Sequence, residues 1–370
     1  MKTQLADINF LSVKYHAAQP KDEFFPVLKR RVDAYFSYNR ISKCGNRLVW
    51  FKIVLVLMLF AGTYSLLVSD YFSPAADLLL GILCGLSHVL IVMNIGHDAG
   101  HNALSQNTKV NHLACWAIEF TGLSHYMWKL NHNVIHHPYP NVRPVDSELN
   151  MALPYLRLGS IYPKRWFHRF QHIYAPFIYL FFTINLIFIR DIQDSGILPK
   201  ESSQRTIRQF PKRHYVLLFF TKLVYIGYAL VIPMLVLSIV WWKVLIGFVV
   251  VHFVMSMAEM CIQLPLHINE ETVVTEIDEK GVIPNCWYRQ MLEGTVDYWC
   301  ESKVANFLFG GINTHTIHHM FPGICHVHYV ALTKILADTS QEFGMPYHRA
   351  SWRASMKSHF RKLHQLAIEP

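Results

Sequence analysis

Residues 75–101 read AADLLLGILCGLSHVLIVMNIGHDAGH, and the reading of this stretch decides the fold. From Ala75 to Ile95 the only formal charge is Asp77, and the run is about as long as a helix crossing a bilayer must be. It passes without a break into His97-Asp98-Ala99-Gly100-His101. On a continuing helix, residues four apart lie on one face, about 6 Å apart along the axis. The sequence therefore predicts a membrane helix whose end presents two imidazoles side by side.

Upstream, Leu48 to Ser69 is a second run of membrane length, with Lys52 near its start, where its stem can carry the ammonium to the interface. Asp70 to Pro74 between them is a tight turn with no Lys or Arg. Before the pair come Lys29, Arg30, Arg31, Arg40, Lys43 and Arg47. A basic flank marks the cytoplasmic side, so the two runs form a hairpin with its tip outside and His97 returned to the cytoplasmic face. Pro26 to Tyr38 in the N-terminal region reads as a short helix.

Downstream, His112 to Met127 is apolar but short and holds Glu119 and His125, which suits a buried or half-inserted helix. His132-Asn133-Val134-Ile135-His136-His137 follows, then a proline-rich loop to Pro154 and a basic, aromatic interfacial helix over Arg157 to His172. Tyr215 to Ile239 and Trp241 to Ile262 form a second hairpin. Ile173 to Ile189 is apolar enough to span. A crossing there would put His315-Thr316-Ile317-His318-His319 on the opposite face from the other histidine groups, so this segment is expected in or under the membrane surface. Asp191 to Pro211 reads as a polar loop, and Val327 to Gly344 as an amphipathic helix with Leu332, Ile335 and Leu336 on one face.

Composition agrees. The chain has 370 residues, 52% of them hydrophobic, which is high for a soluble domain and low for a chain made wholly of spans. Its net charge of +9 suits anionic lipid surfaces. The bases are scattered and no finger or helix-turn-helix pattern occurs, so no nucleic-acid partner is expected. Seven dispersed cysteines with no Cys-x-x-Cys pair argue against a disulfide scaffold. No cleaved signal is expected in the N-terminal residues. The expected architecture is an all-α membrane protein. Four transmembrane helices, about 48–69, 75–95, 215–239 and 241–262, form two hairpins beneath a cytoplasmic helical cap that holds a histidine-rich dimetal site. Residues 1–47 make a cytoplasmic N-terminal region, 48–346 the main domain, and 347–370 a basic cytoplasmic tail.

The chemistry lies in the histidines. His97 and His101, His132, His136 and His137, and His315, His318 and His319 form three tight groups. Imidazole binds iron, zinc, copper and nickel. Eight rings exceed what one four-coordinate zinc uses and suit two ions held close together. A lone histidine is usually packed or on the surface; clusters at membrane-helix ends reverse that expectation. His267, just past the fourth run, is a ninth candidate ligand. Asp98 and Asp146 are placed to accept ring N–H groups and orient the ligands. His88 and His252 lie inside spans and can bond across helices, while Glu259 is costly in lipid and should face protein. His125, His326 and His328 do not extend the groups and read as structural. Asp98 is the only carboxylate inside the three groups, and so few acids favour redox chemistry on a lipidic substrate over paired-metal hydrolysis. A membrane protein without enzymatic activity would not need eight clustered ligands.

His97-Asp98-x-x-His101, His132-x-x-x-His136-His137 and His315-x-x-His318-His319 resemble the three histidine boxes of the membrane fatty acid desaturases, and the resemblance runs from about Val49 to Pro346. It implies two Fe ions and an O2-dependent reaction that removes two vicinal hydrogens from an acyl chain. A ninth histidine before the third box is implied too, at His267. Within the family, Gly96-His97-Asp98-Ala99-Gly100-His101 and Phe321-Pro322 after the third box look most like front-end desaturases. Those enzymes often begin the third box with Gln, where this chain has His315, and many carry a fused cytochrome b5 domain marked by His-Pro-Gly-Gly, which this sequence lacks. The resemblance thus implies a separate electron donor, a ferredoxin or cytochrome b5-like protein with its reductase. The substrate would be an acyl-CoA, acyl-lipid or acyl-carrier species, and membrane lipids would be further partners. Related hydroxylases, acetylenases and carotenoid-modifying oxygenases share the boxes and are the alternative. Arg143, Arg157, Lys164, Arg165 and Arg169 are candidate anchors for the substrate's polar head.

Overall fold

The computed structural model describes residues 13–17, 22–150, 154–159, 162–196 and 211–369. The expected polar loop 191–211 therefore falls largely outside the described residues, as does the start of the N-terminal region. The described chain is mostly helical and divides into two compact units. Unit 1 gathers the N-terminal region, residues 130–175 and everything from Cys261 onward; unit 2 holds residues 45–129 and 176–260.

Unit 2 carries most of the apolar runs. Four helices are long and apolar enough to cross a membrane: α2 (Arg47–Leu67), α3 (Pro74–Gly100), α8 (Lys212–Val236) and α9 (Trp241–His267), the last of which extends by its final turns into unit 1. α3 is the inner helix: 61% of its most apolar window is buried, against 22–33% for the other three. Its start is set by Ser73, whose hydroxyl accepts from the Ala76 amide, and by Pro74 at the first turn. Lys52 does not snorkel. It is buried and donates to Asn94 Oδ1 of α3 at 2.7 Å, because a buried ammonium needs an acceptor. The fourth run extends past its expected end at Ile262: the helix continues through Pro265, and His267 lies in its last turn.

The ambiguous segment is a helix pair, α6 (Gln171–Tyr179) and α7 (Phe182–Asp194). With the preceding 3-10 turn from Trp166, the two arms bend by 73° and qualify as a span only when joined. Arg157 itself lies in a loop, so the expected interfacial helix starts later than the sequence suggested. In place of one helix over 112–127 there are two, α4 (Thr108–Glu119) and α5 (His125–Lys129). Glu119 closes the gap by accepting the His125 amide and ring Nδ1–H, at 2.9 and 2.6 Å.

Unit 1 is built around α1 (Phe24–Asn39), longer at both ends than expected. Phe24, Leu28, Val32 and Phe36, each four residues apart, form its buried stripe. They pack with Met291 and Leu292 of α10 (Trp287–Glu293), Ile317 and Met320 of α12 (His315–Met320), and Leu332 and Leu336 of α13 (Tyr329–Glu342). α11 (Lys303–Leu308) leads into the third histidine group. Three two-residue parallel pairs clip the loops: β1 (Lys14–Tyr15) with β4 (Val282–Ile283), β2 (Val142–Arg143) with β3 (Thr275–Glu276), and β5 (Asp297–Tyr298) with β6 (Arg349–Ala350). The basic tail is an ordered helix, α14 (Trp352–Ile368), with Ser355, His359, Leu363, Leu366 and Ala367 buried.

Candidate metal centre

Two of the three histidine groups lie in unit 1, and local backbone geometry splits each of them in two. The second group sits on a π-helical segment, Leu130–His136, rather than an α-helix. There the amide of His137 bonds to the His132 carbonyl five residues back, at 2.8 Å. The wider turn brings residues five apart onto one face, so His137 Nε2 stands 3.2 Å from His132 Nε2. His136 is turned to a different set of partners: its ring packs against those of His267 and His319. The spacing of His132 and His136 had suggested an α-helical pair; the π-register pairs His132 with His137 instead.

α12 divides the third group in the same way. Ile317 and Met320 point into the core of unit 1, and the histidines point away from it. His318 Nε2 lies 2.9 Å from His137 Nε2. His315 Nε2 lies 3.1 Å from His319 Nε2 and 2.6 Å from His267 Nε2. His132, His137 and His318 thus form one focus. His136, His267, His315 and His319 form a second, with one ligand atom from each within 4.8 Å of all the others. Two nitrogens held ~2.1 Å from a common ion at right angles stand ~3.0 Å apart, so these separations suit ligands sharing an ion.

The other ring nitrogens are held by partners that orient the rings. His267 Nδ1–H donates to the Gly294 carbonyl at 3.2 Å. His136 Nδ1 faces Asp146 at 3.1 Å, and His132 Nδ1 faces Glu148 Oε1 at 3.1 Å. His318 Nδ1 lies 3.0 Å from the Tyr329 hydroxyl. A partner on Nδ1 leaves Nε2 to point at the focus, the usual arrangement around a metal-binding imidazole. Asp146 is itself fixed by accepting the amides of Asn141 and Glu148. Asn141, in the left-handed region at φ +57°, donates from its side chain to the carbonyls of both His267 and Gly294. α12 is anchored through Thr316, whose amide and hydroxyl donate to buried Asp297. Burial pushes the Asp297 carboxyl up to about 6, against the pull of these donors and of the Tyr347 hydroxyl.

The electrostatics favour neutral rings awaiting a cation. Burial holds His132 below its ordinary range, and burial with the crowding of His315, His136 and His267 holds His319 well below. His136 is the exception. Burial opposes its charge, but Glu148 and Asp146 outweigh burial and raise it to about 9. Glu148, opposed by burial and held by His136 and His132, falls to about 2. A negative pocket that draws a proton to His136 would equally draw a metal ion.

In unit 2, the first pair follows a five-residue π turn, Val92–Gly96, at the end of α3. His97 and His101 have ring centroids 4.9 Å apart, and each lies 6.0 Å from the Trp128 ring. The glycines around them are needed for packing. A Cβ on Gly100 would stand 2.2 Å from Trp128, and one on Gly96 would stand 2.2 Å from Ile118. Asp98 is buried beside them, and its carbonyl accepts the Ala103 amide.

Several expectations resolve differently. Glu148 was missed: it lies only two residues beyond Asp146, yet nothing in a ten-residue gap after His136 signals that the loop folds back. It brings to His132 and His136 a second carboxylate, beside the Asp146 that the sequence suggested. Arg157 is not free to hold a substrate head. It is 1% exposed, and its guanidinium donates to the carbonyls of Tyr162, Leu366 and Glu369. Lys164 also donates to the carbonyls of Ile368 and Glu369, so these two cations cap the C-terminus of α14. Arg143 is buried over Gly159, with its guanidinium 5.2 Å from the Tyr162 ring centre. Arg165 and Arg169 are exposed. His88 and His252 do bond across helices of unit 2, to Tyr228 and Tyr225 of α8. Glu259 is buried. His328 packs on Phe36 and lies 3.3 Å from the Cys44 carbonyl, a structural role.

Comparison with known proteins bears on the same residues. Positions 73–351 match the fatty acid desaturase family. The sn-1 linoleoyl-lipid 6-desaturase of Synechocystis is 31% identical over 348 residues, covering 93% of this chain and 95% of its own. The acyl-lipid (8-3)-desaturase of Mortierella alpina is 28% identical over 94% of this chain and 78% of its own, and that of Physcomitrium patens 26% over 95% and 73%.

Proposed function

Since this chain belongs to the fatty acid desaturase family, we propose that it places a new double bond on the carboxyl side of an existing one, in an acyl chain carried on a membrane lipid. It is an acyl desaturase; the front-end position and the lipid carrier are the readings its named relatives favour. The observation that carries the metal assignment is the sorting of seven histidines into two clusters within one unit. His136, His267, His315 and His319 hold one iron. His132, His137 and His318 are three donors, and His97 and His101, the remaining histidine box, complete the set for the other iron.

Two irons, when bound, supply the O2-dependent removal of two hydrogens from adjacent carbons. The residues around them keep Nε2 aimed at the foci and the rings in one tautomer. Asp146, Glu148 and the Gly294 carbonyl do this for His136, His132 and His267. Asp146 and Glu148 also offset the positive charge of the ions. Electrons come from a separate carrier protein. The acyl chain offers only identical CH2 groups near its target, each contributing about 0.8 kcal/mol on burial, so grip is ample but local recognition is absent. Position is therefore measured from the anchored head, with exposed Arg165 and Arg169 as anchors for an anionic group.

Expression in a host lacking desaturases, fed with polyunsaturated chains of different length, tests this. A new double bond at constant distance from the carboxyl end supports the proposal. A constant distance from the methyl end, or an alcohol as main product, overturns it.

A further inference from the structure

Unit 2 holds a second feature that the metal chemistry does not use. A cavity of about 460 Å³ lies among its four long helices, beside the two helix turns. The turns meet there: the Ser238 amide donates to Asp70 Oδ2 at 3.0 Å. The cavity follows α3 from Pro74 to His88, about 21 Å of helix. Its wall is aliphatic and aromatic. It stays open at Gly247 of α9, where a Cβ would meet no atom within 4 Å. At the mouth stand one cation, Lys243, and two carboxylates, Asp70 and Asp77.

The cavity ends at His88, Tyr225 and Tyr228. His88 Nε2 lies 3.1 Å from the Tyr228 hydroxyl, and the Tyr225 hydroxyl lies 2.9 Å from His252 Nε2. Beyond this floor, toward His97, come two buried cations with their acceptors. Lys52 donates to Asn94 at 2.7 Å, and Lys222 to Asp191 at 2.5 Å. His97 itself lies nine residues past His88, about 13 Å along the same helix. An alkyl chain arriving from the histidine end would have to break this polar layer.

We propose that this cavity is a lipid site, taking one acyl chain of a membrane phospholipid whose zwitterionic head rests between Lys243 and Asp77. The apolar part of its wall offers water few partners, and left empty it forfeits the contacts of that wall. The helices that form it are otherwise surrounded by hydrocarbon, which supplies the occupant. Opposite charges at the mouth match a phosphate and an amine. The chain is held apart from the acyl substrate by the polar floor, so the site would steady the helix bundle rather than present a chain for reaction.

The test uses the full chain in phosphatidylcholine nanodiscs with a small fraction of phosphatidylcholine carrying a diazirine near its acyl terminus. After illumination, crosslinks are mapped by mass spectrometry. The expected pattern is several-fold enrichment on the wall, at Ala229 and Val251, over lipid-facing Val54 and Met58 of α2. Gly247→Phe, which fills the opening, should cut the wall signal at least five-fold without moving the α2 signal or the position of the new double bond. Gly81→Leu is the second variant, and the wild-type map decides alone if neither variant folds. Labelling of the wall no stronger than at Val54 and Met58 would overturn the proposal. So would an undiminished wall signal in folded Gly247→Phe. A changed chain-length preference in that variant would overturn it too, because the cavity would then hold the substrate's tail.

Discussion

His267 shows what one residue contributes at this site. Its Nδ1–H is committed to the Gly294 carbonyl, and its Nε2 stands 2.6 Å from that of His315. Its backbone carbonyl is held separately, by Asn141 and by the Thr272 hydroxyl. Alanine therefore removes the donor while the backbone stays pinned. His267→Ala should lower activity at least 100-fold and reduce bound iron, with the helical circular dichroism of wild type; wild-type iron content and turnover would make His267 a bystander. The eight boxed histidines stand out in the sequence as three tight groups, although spacing alone does not say which of them share a face. Glu148 and Asn141 do not stand out. Their roles depend on a loop folding back on the second histidine group, and loop paths leave no periodic trace in sequence.

At the scale of elements, the apolar runs predicted all four long helices, since a membrane-length run has few alternatives to a helix. The register inside the helices was hidden. An i,i+4 pair and an i,i+5 pair look alike in a His-x-x-x-His-His string, and only the π turn separates His136 from His137. The tail was misleading for a related reason: its basic composition hides a buried face of Leu363, Leu366 and Ala367. Arg157 holds that helix by donating to carbonyls in its last turn and just beyond it. Arg157→Met keeps the bulk but takes the charged donor from the Leu366 carbonyl and leaves Glu369 to Lys164 alone, and bonds from charged donors are each worth about 1.5–3 kcal/mol. The variant should lose about 3 kcal/mol of stability, read by thermal unfolding in detergent, with α14 exchanging its amide hydrogens first. An unchanged melting curve would show that α14 does not depend on this contact.

For the whole molecule, the sidedness of the chain rests on the basic residues before α2 and on the need for an even number of crossings between the second and third histidine groups. Ser195 is buried, so exposed Arg213 is the better reporter for the loop between α7 and α8. Tyr71, 83% exposed, reports the turn before α3. In sealed cells, Tyr71→Cys should react with an impermeant maleimide from outside, and Arg213→Cys only after permeabilisation. Outside labelling at Arg213→Cys would make the bent pair α6–α7 a fifth crossing.

The central claim is that nine histidines hold two irons in one desaturase chain, and metal stoichiometry tests it most directly. Protein purified in nanodiscs, with turnover confirmed on the same sample, should contain about two irons per chain and negligible zinc by plasma mass spectrometry. A fully active sample holding a single zinc per chain would contradict the account.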